Sequence, residues 1–536
     1  MTSQKKNMLF LILLCGIYFV AFCFPNQAAS ENLDMVSVLQ PDEAIPLSYA
    51  THMIQPADNV KQALINFAFY NYYFYGYPHF AYSALVLLPL RWAGALENMP
   101  LVMLTLRQMV SVLPMLAAVL LLVYMQTKFK GYKAYVLLLL LLAIPAVFEN
   151  NLWWHPDSLA ILFVVLTLFF LSRDEFRLGG NFYLAAAMCG FATGTKGLGW
   201  YFFLAVAVYL LLALFSKKVS FLKILTFGTL FIVTMLAAYV FSNPLLVFAG
   251  TRQQYMNVTK SQFEFLQKGY EVVYDVGLAA ATPAVRTYYG SWTVVLLALG
   301  TCIWGALRGS NRLLNRLILA WFVPLTVFVF AIIHFKFQYW MPVILPLFST
   351  LVGILPDTQN DLRVRFTAGL HRWAVPALRW AILAGLSIQF IFYGISDVRA
   401  YTYKLTAEET HPSLAFYTTV LSVLAPLPAG EYYVYHDVRL YVPETDGWER
   451  ESSFAMLDYD FIQSRGYSIL LLLQQRIYDY SAQDVEGVDP EKLAVSRVFY
   501  ADANAGTLNG YKLVYRDSQG LVFVSDELYE SYFSQP

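Results

Sequence analysis

The stretch His79-Phe80-Ala81-Tyr82-Ser83-Ala84-Leu85-Val86-Leu87-Leu88-Pro89-Leu90-Arg91-Trp92-Ala93-Gly94-Ala95 decides how this chain is threaded. It is apolar enough to invite a membrane span. It is short, however, against the roughly 20 residues that a helical bilayer crossing takes, and it contains Pro89 and Arg91. Each crossing reverses the side on which all later residues lie. With 79–95 left out of the count, five basic groups fall on the same side as Lys5 and Lys6: Lys128, Lys130 and Lys133; Arg173 and Arg177; Lys217, Lys218 and Lys223; Arg308, Arg312 and Arg316; and Arg363, Arg365, Arg372 and Arg379. Loops rich in Lys and Arg stay in the cytoplasm, so that side is cytoplasmic and the N-terminus lies there. With the stretch counted, most of these groups fall outside. We therefore read 79–95 as a juxtamembrane helix lying at the outer bilayer surface.

The remaining apolar blocks run over Met8–Phe24 and about 104–126, 134–150, 158–172, 181–195, 199–215, 221–241, 293–307, 315–333, 339–355 and 377–395. The first also fits a signal peptide with cleavage near Ala29, but the spans that follow favour an uncleaved anchor. The expectation is an α-helical polytopic membrane protein with about eleven spans. Residues 1–395 form its membrane domain, with a long first outer loop over 25–103. Tyr70, Tyr72, Tyr73, Phe74, Tyr75 and Tyr77 cluster in that loop, as aromatic rings do where headgroups meet hydrocarbon. After the last span, over 396–536, charged residues become frequent. Short β-like runs such as Tyr432–Tyr435 and Leu521–Ser525 alternate there with helical stretches such as Asp458–Gln463, which predicts an extracytoplasmic α/β domain.

Composition agrees with this class. Of 536 residues, 58% are hydrophobic and 13% charged, about half the charged share of a soluble domain. Thirty-six basic and thirty-six acidic residues cancel, which removes the footprint of a nucleic-acid binder. Cys15, Cys23, Cys189 and Cys302 show no paired spacing of a metal or redox site.

Ionisable groups near hydrocarbon are costly and therefore functional candidates. Four patches fall on the outer side of this topology. Asp42 and Glu43, in Gln40-Pro41-Asp42-Glu43-Ala44, are either a reactive pair or the acidic first turn of a helix. Asp157, in Trp153-Trp154-His155-Pro156-Asp157, is either a site residue or a cap for the helix that follows. Lys196, in Thr195-Lys196-Gly197, is either a ligand contact or a snorkelling side chain. His334 and Lys336, in His334-Phe335-Lys336-Phe337-Gln338-Tyr339, are either part of the same site or an interfacial belt. Carboxylates can serve as general base toward a hydroxyl, and Lys or His can neutralise a phosphate leaving group. Sugar transfer from a lipid-linked phosphate needs both.

These residues resemble the GT-C glycosyltransferases. The resemblance rests on Pro41-Asp42-Glu43, His155-Pro156-Asp157-Ser158-Leu159-Ala160, Gly190-Phe191-Ala192-Thr193-Gly194-Thr195-Lys196-Gly197 and the run from His334 through Tyr339 and Pro342 to Leu345-Pro346. It covers about residues 8–355 and is nearest to the branch of protein O-mannosyltransferases and lipid A aminoarabinose transferases, families 39 and 83. It implies an inverting transferase that moves a sugar from a polyprenyl-phosphate carrier to a hydroxyl on a lipid, glycan or protein acceptor, at the extracytoplasmic face of the cell membrane. Asp42 is then similar to the family's base and Glu43 to its neighbour. Asp157, with His155 beside it, is similar to the second acidic position, and Lys196, His334 and Lys336 to the groups that hold the donor phosphate. His79 departs from the pattern and receives no role. No cofactor is expected. A divalent ion on Asp42, Glu43 and Asp157 is chemically open but not favoured, since Lys and His can neutralise phosphate without it. A secondary transporter and a glycan ligase or polymerase are the rival readings.

Overall fold

A computed structural model of the chain describes residues 3–268, 276–356, 371–482 and 490–534; Arg363 and Arg365 of the last basic group lie outside them. The chain divides into two compact units, one of Met1–Gln27, Leu47–Lys260 and Val276–Tyr403, the other of Ala28–Pro46, Ser261–Asp275 and Lys404–Pro536.

The first unit is built of helices, and each apolar block of the sequence is helical in it. Six helical segments among the described residues are long and apolar enough to cross a bilayer: Ser3–Ala28, Met99–Thr127, Phe221–Phe241, Arg312–Ala331, Phe337–Ile354 and Trp380–Val423. The Leu278–Tyr289 and Trp292–Arg308 helices join as a pair bent by 80° at Gly290, whose φ of 86° lies in the left-handed region that glycine enters without a Cβ clash. The surfaces of several of these helices belong in lipid. Phe221–Phe241 exposes Phe221, Leu222, Leu225, Val233 and Phe241, and Ser3–Ala28 exposes Leu9, Leu13, Ile17 and Val20. Contiguous exposed apolar surface of this kind marks a membrane or a partner, and with this many apolar helices the chain is a multi-pass membrane protein.

Breaks in the helices follow residue chemistry. The 134–150 block ends its first helix at Leu142 and restarts at Pro145, because proline has no N–H to continue the ladder and is tolerated at a helix start. Met99–Thr127 contains a π-helical turn over Arg107–Val112. The Asp157–Asp174 and Gly180–Thr195 helices pack as a hairpin, with the ring of Phe163 against that of Phe191. Asp174 closes their turn. Its carboxylate accepts from the N–H groups of Leu178 and Gly179, both at 2.9 Å, and from the Tyr209 hydroxyl at 2.5 Å. The stretch read as juxtamembrane forms the Tyr77–Trp92 helix, with His79, Phe80, Ser83, Ala84 and Leu87 on its buried face.

The second unit carries a five-stranded sheet: β1 Tyr432–His436, β2 Trp448–Glu451, β3 Ile469–Leu473, β4 Tyr511–Arg516 and β5 Gly520–Ser525, in the order β2-β1-β3-β5-β4. β1 runs parallel to β2 and β3, and β5 antiparallel to β3 and β4. Strand β3, Ile-Leu-Leu-Leu-Leu, is apolar throughout because both its faces are covered. Leu470 and Leu472 pack with Phe523, Tyr480 and Phe499 on one face. Ile469 and Leu471 pack with Val522, Phe416 and Val420 on the other. At the ends of β1 and β3 the buried Asp437 pairs with Arg476 at 2.5 Å, and Arg476 also donates to the carbonyls of Ser453, Phe454 and Ala455. The His371–Thr410 helix runs unbroken through residue 396, the expected start of the α/β domain, and the units divide at Tyr403 and Lys404.

Candidate active site

In the first unit, three helix ends meet: the start of Asp157–Asp174, the end of Gly180–Thr195 and the start of Phe337–Ser349. Asp157 opens its helix, where a carboxylate suits the positive end of the helix dipole. The plainer reading of the sequence, a cap, does not hold: Pro156 occupies the capping position, no side chain caps this helix end, and the Asp157 carboxylate points to other partners. It is 1% exposed, its Oδ1 accepts from the Lys196 ammonium, and its Oδ2 abuts Nδ1 of His155. A buried carboxylate is tolerated only when paired in this way.

The loop that delivers Asp157 is fixed by packing and hydrogen bonds. Trp153 stacks on the His155 ring, with centroids 4.2 Å apart, and Tyr75 meets the same imidazole edge-on at 4.9 Å. Trp154 donates through Nε1 to Ser83 Oγ at 3.0 Å, and Asn150 Nδ2 donates to Ser158 Oγ at 2.6 Å. The His155 N–H reaches Ser111 Oγ, in the π-helical turn, at 3.4 Å. His79 stacks on Trp154 at 5.1 Å and is wholly buried. Neither of its ring nitrogens meets a hydrogen-bond partner among the described residues, and burial holds its imidazole well below the usual histidine value, hence neutral.

Lys196 leaves its helix in extended backbone conformation at φ −151°. Gly76 makes room for this exit: its N–H donates to the Thr195 carbonyl at 3.2 Å, and a Cβ on it would stand 1.7 Å from the Gly194 carbonyl oxygen. The Lys196 ammonium lies 4.8 Å from the centre of the Tyr339 ring, and Lys336 lies 6.0 Å from that same ring. Tyr339 is thus flanked by two cations, an arrangement that its ring quadrupole favours. The ring of His334, which is 2% exposed, lies 6.5 Å from that of Tyr339. The structure therefore brings together His155, Asp157, Lys196, His334 and Lys336.

Asp42 and Glu43 belong to the second unit. They occupy the first turn of the Pro41–His52 helix, the placement that acidic residues favour. Asp42 is exposed and Glu43 wholly buried. Among the described residues no group of three His, Cys, Asp or Glu could hold a metal ion.

Arg107 escaped the sequence reading. It lies fully buried within the Met99–Thr127 segment, in the π-helical turn, and its Nη1 donates to the Asn26 carbonyl at 2.8 Å. Asn26 in turn donates to the Asn151 carbonyl at 3.0 Å, and Asn151 to the Tyr18 hydroxyl at 3.1 Å. A charge inside an apolar run is a functional candidate by default, and π-turns recur at functional sites. The signal was present in the sequence, three residues into the block at 104–126.

No family model matches the chain, and no curated protein is similar to it in sequence. Among solved structures, ArnT from Cupriavidus metallidurans bound to undecaprenyl phosphate is similar with a TM-score of 0.53 and 14% identity, over 97% of this chain and 98% of that one. ArnT in the apo state follows with a TM-score of 0.48 at the same identity and coverage. An Archaeoglobus fulgidus oligosaccharyltransferase has a TM-score of 0.43 at 12% identity, over 84% of this chain and 66% of that one. At such identities a likeness bears on fold alone, and the first of these carries it: the chain, a polytopic helical domain with a small α/β domain C-terminal to it in sequence, shares its fold with that ArnT structure.

Proposed function

We propose that the protein is an integral membrane glycosyltransferase that moves a sugar from a polyprenyl-phosphate carrier to a hydroxyl on a lipid, glycan or protein acceptor, at the extracytoplasmic face of the cell membrane. The observation that carries this reading is the pairing of buried Asp157 with Lys196, beside a tyrosine ring flanked by Lys196 and Lys336. An anionic phosphate is the ligand such a cluster suits. Lys can turn from carboxylate to phosphate with little movement, because its ammonium sits on a flexible stem and binds as a point charge.

In this mechanism Asp42, exposed at its helix start, removes the proton of the acceptor hydroxyl. The acceptor oxygen attacks the anomeric carbon from the face opposite the phosphate, the bond from that carbon to the phosphate oxygen breaks, and the configuration inverts in one displacement. Lys196 and Lys336 stabilise the charge that builds on the departing phosphate, an effect that is large where water is excluded. Asp157 and His155 hold Lys196 in place, His334 contributes to the phosphate contacts, and Glu43 shapes the surroundings of Asp42. The lipid tail of the carrier stays in the bilayer throughout.

Purified protein incubated with a radiolabelled polyprenyl-phosphate monosaccharide and membrane extract tests this reading. Transfer of label to a lipid, glycan or protein supports it. Label accumulating inside vesicles without transfer indicates a transporter, and transfer only from a long lipid-linked glycan indicates a ligase or polymerase.

A further inference from the structure

The segment Ala28–Pro46 folds with Lys404–Pro536, in one compact unit, although the membrane helices separate the two in sequence. Asn32 is its anchor. All four of its hydrogen-bonding groups are engaged: its N–H donates to Glu408 Oε2 at 3.0 Å, its Nδ2 to the Tyr441 hydroxyl at 3.0 Å, its Oδ1 accepts from Met35 N–H at 3.2 Å and its carbonyl from Val36 N–H at 3.0 Å. Two residues on, Asp34 pairs with Arg450 of β2 at 3.4 Å, and Arg450 is itself held by the Val442 carbonyl. Met35, Val36 and Val38 are buried.

From this anchor a ladder of backbone hydrogen bonds leads to the acidic pair. Asn32 O accepts from Val36, Val36 O accepts from Gln40 at 2.8 Å, and Gln40 O accepts from Glu43 at 2.9 Å. The Leu33–Leu39 helix between them has only 7 residues, far too few to hold its shape alone. Its order must come from what it docks on.

We propose that the C-terminal α/β domain is the positioning device for the Asp42-Glu43 turn, with Tyr441, Arg450 and Glu408 as positioning residues that act through Asn32 and Asp34. The proposal rests on Asp42 being the base, and it gives the α/β domain a role in the reaction, that of fixing where the carboxylate stands. A base must lie within hydrogen-bond reach of the proton it takes, and a displacement of about 1 Å can cost on the order of 100-fold in rate.

The test uses the full-length protein in lipid nanodiscs, with Tyr441→Phe and Arg450→Ala combined in one variant. Hydrogen–deuterium exchange should quicken about tenfold at the amides of 33–46 and stay unchanged at 157–196, and kcat for label transfer should fall about tenfold at unchanged KM for the polyprenyl-phosphate sugar, on the scale set by small displacements. Replacing the Arg450→Ala change by Arg450→Lys, which keeps the charge opposite Asp34, should recover part of kcat. Unchanged exchange at 33–46 overturns the proposal. So does faster exchange with wild-type turnover. Absence of transfer by the wild type defeats the transferase reading instead, and exchange then still decides whether the domain holds this turn.

Discussion

The Lys196 ammonium is shared between the buried Asp157 carboxylate and the face of Tyr339, so one cation joins two helix ends and the start of a third. Asp157→Asn removes the partner charge from Lys196 and from His155 together. Breaking a buried pair costs roughly 3–5 kcal/mol, and because Lys196 is 17% exposed and regains some water, the lower end applies. We expect a clear drop in thermal midpoint together with loss of label transfer; a variant as stable and as active as the wild type contradicts the role given to this pair.

Lys196→Ala leaves Asp157 with His155 alone. If Lys196 holds donor phosphate, the variant binds the polyprenyl-phosphate sugar at least about tenfold more weakly, one lost charge-assisted contact of roughly 1.5–3 kcal/mol. Equilibrium binding of a labelled donor measures this directly. Unchanged affinity and rate remove Lys196 from the site.

Asp42 is exposed, so Asp42→Asn should fold and insert as the wild type does. A positioned general base contributes about 10²–10⁴-fold, and turnover should fall by that order. Single-turnover transfer at saturating donor separates this loss of chemistry from a loss of binding, and wild-type turnover sinks the assignment.

Gly76→Ala sets a new methyl against the Gly194 carbonyl. That contact is with backbone, which yields poorly, so the loop before the Tyr77–Trp92 helix must move off the turn that carries Lys196. Overpacking of this kind costs about 1–3 kcal/mol. Gly180→Ala, with open space around its Cβ position, is the control. Transfer should suffer in the first variant and not in the second.

Acid should weaken the α/β domain through Glu451. Its carboxylate accepts from the Tyr433 hydroxyl, and this bond, with the Arg465 charge at 3.7 Å, holds its pKa below the ordinary glutamate value. A depressed carboxylate stabilises the fold fully above the unfolded value of about 4.3 and loses that contribution as pH falls below it through the folded value. The difference in thermal midpoint between wild type and Glu451→Gln should therefore be constant from neutral pH to about 5 and shrink below about 4. A difference that grows on acidification contradicts the linkage.

The fold was legible because hydropathy is additive along a chain: each apolar block of the sequence is helical in the structure. The α/β domain was legible for the related reason that strands such as Leu521–Ser525 keep their own composition. What could not be read was convergence. Nothing in the local sequence says that Lys196 reaches the ring of Tyr339, since that depends on two helix ends meeting across more than a hundred residues. Arg107 was legible in principle and lost in practice, because one charge barely lowers the hydropathy of a block of leucines and valines. That Asn32 reaches Tyr441 and Glu408 had no sequence signal; an asparagine before a short helix looks like any N-cap.

The discontinuity of the second unit has a consequence for biogenesis. Asn32 and Tyr441 are 409 positions apart, so the acidic turn emerges from the ribosome early and its scaffold arrives almost last. Until the final strands have been synthesised, Leu33–Leu39 and the turn after it lack the groups that order them. A nascent or prematurely terminated chain can therefore insert most of its membrane helices while the turn that carries Asp42 is still without its scaffold, and if Asp42 is the base we propose, activity begins only once synthesis is complete.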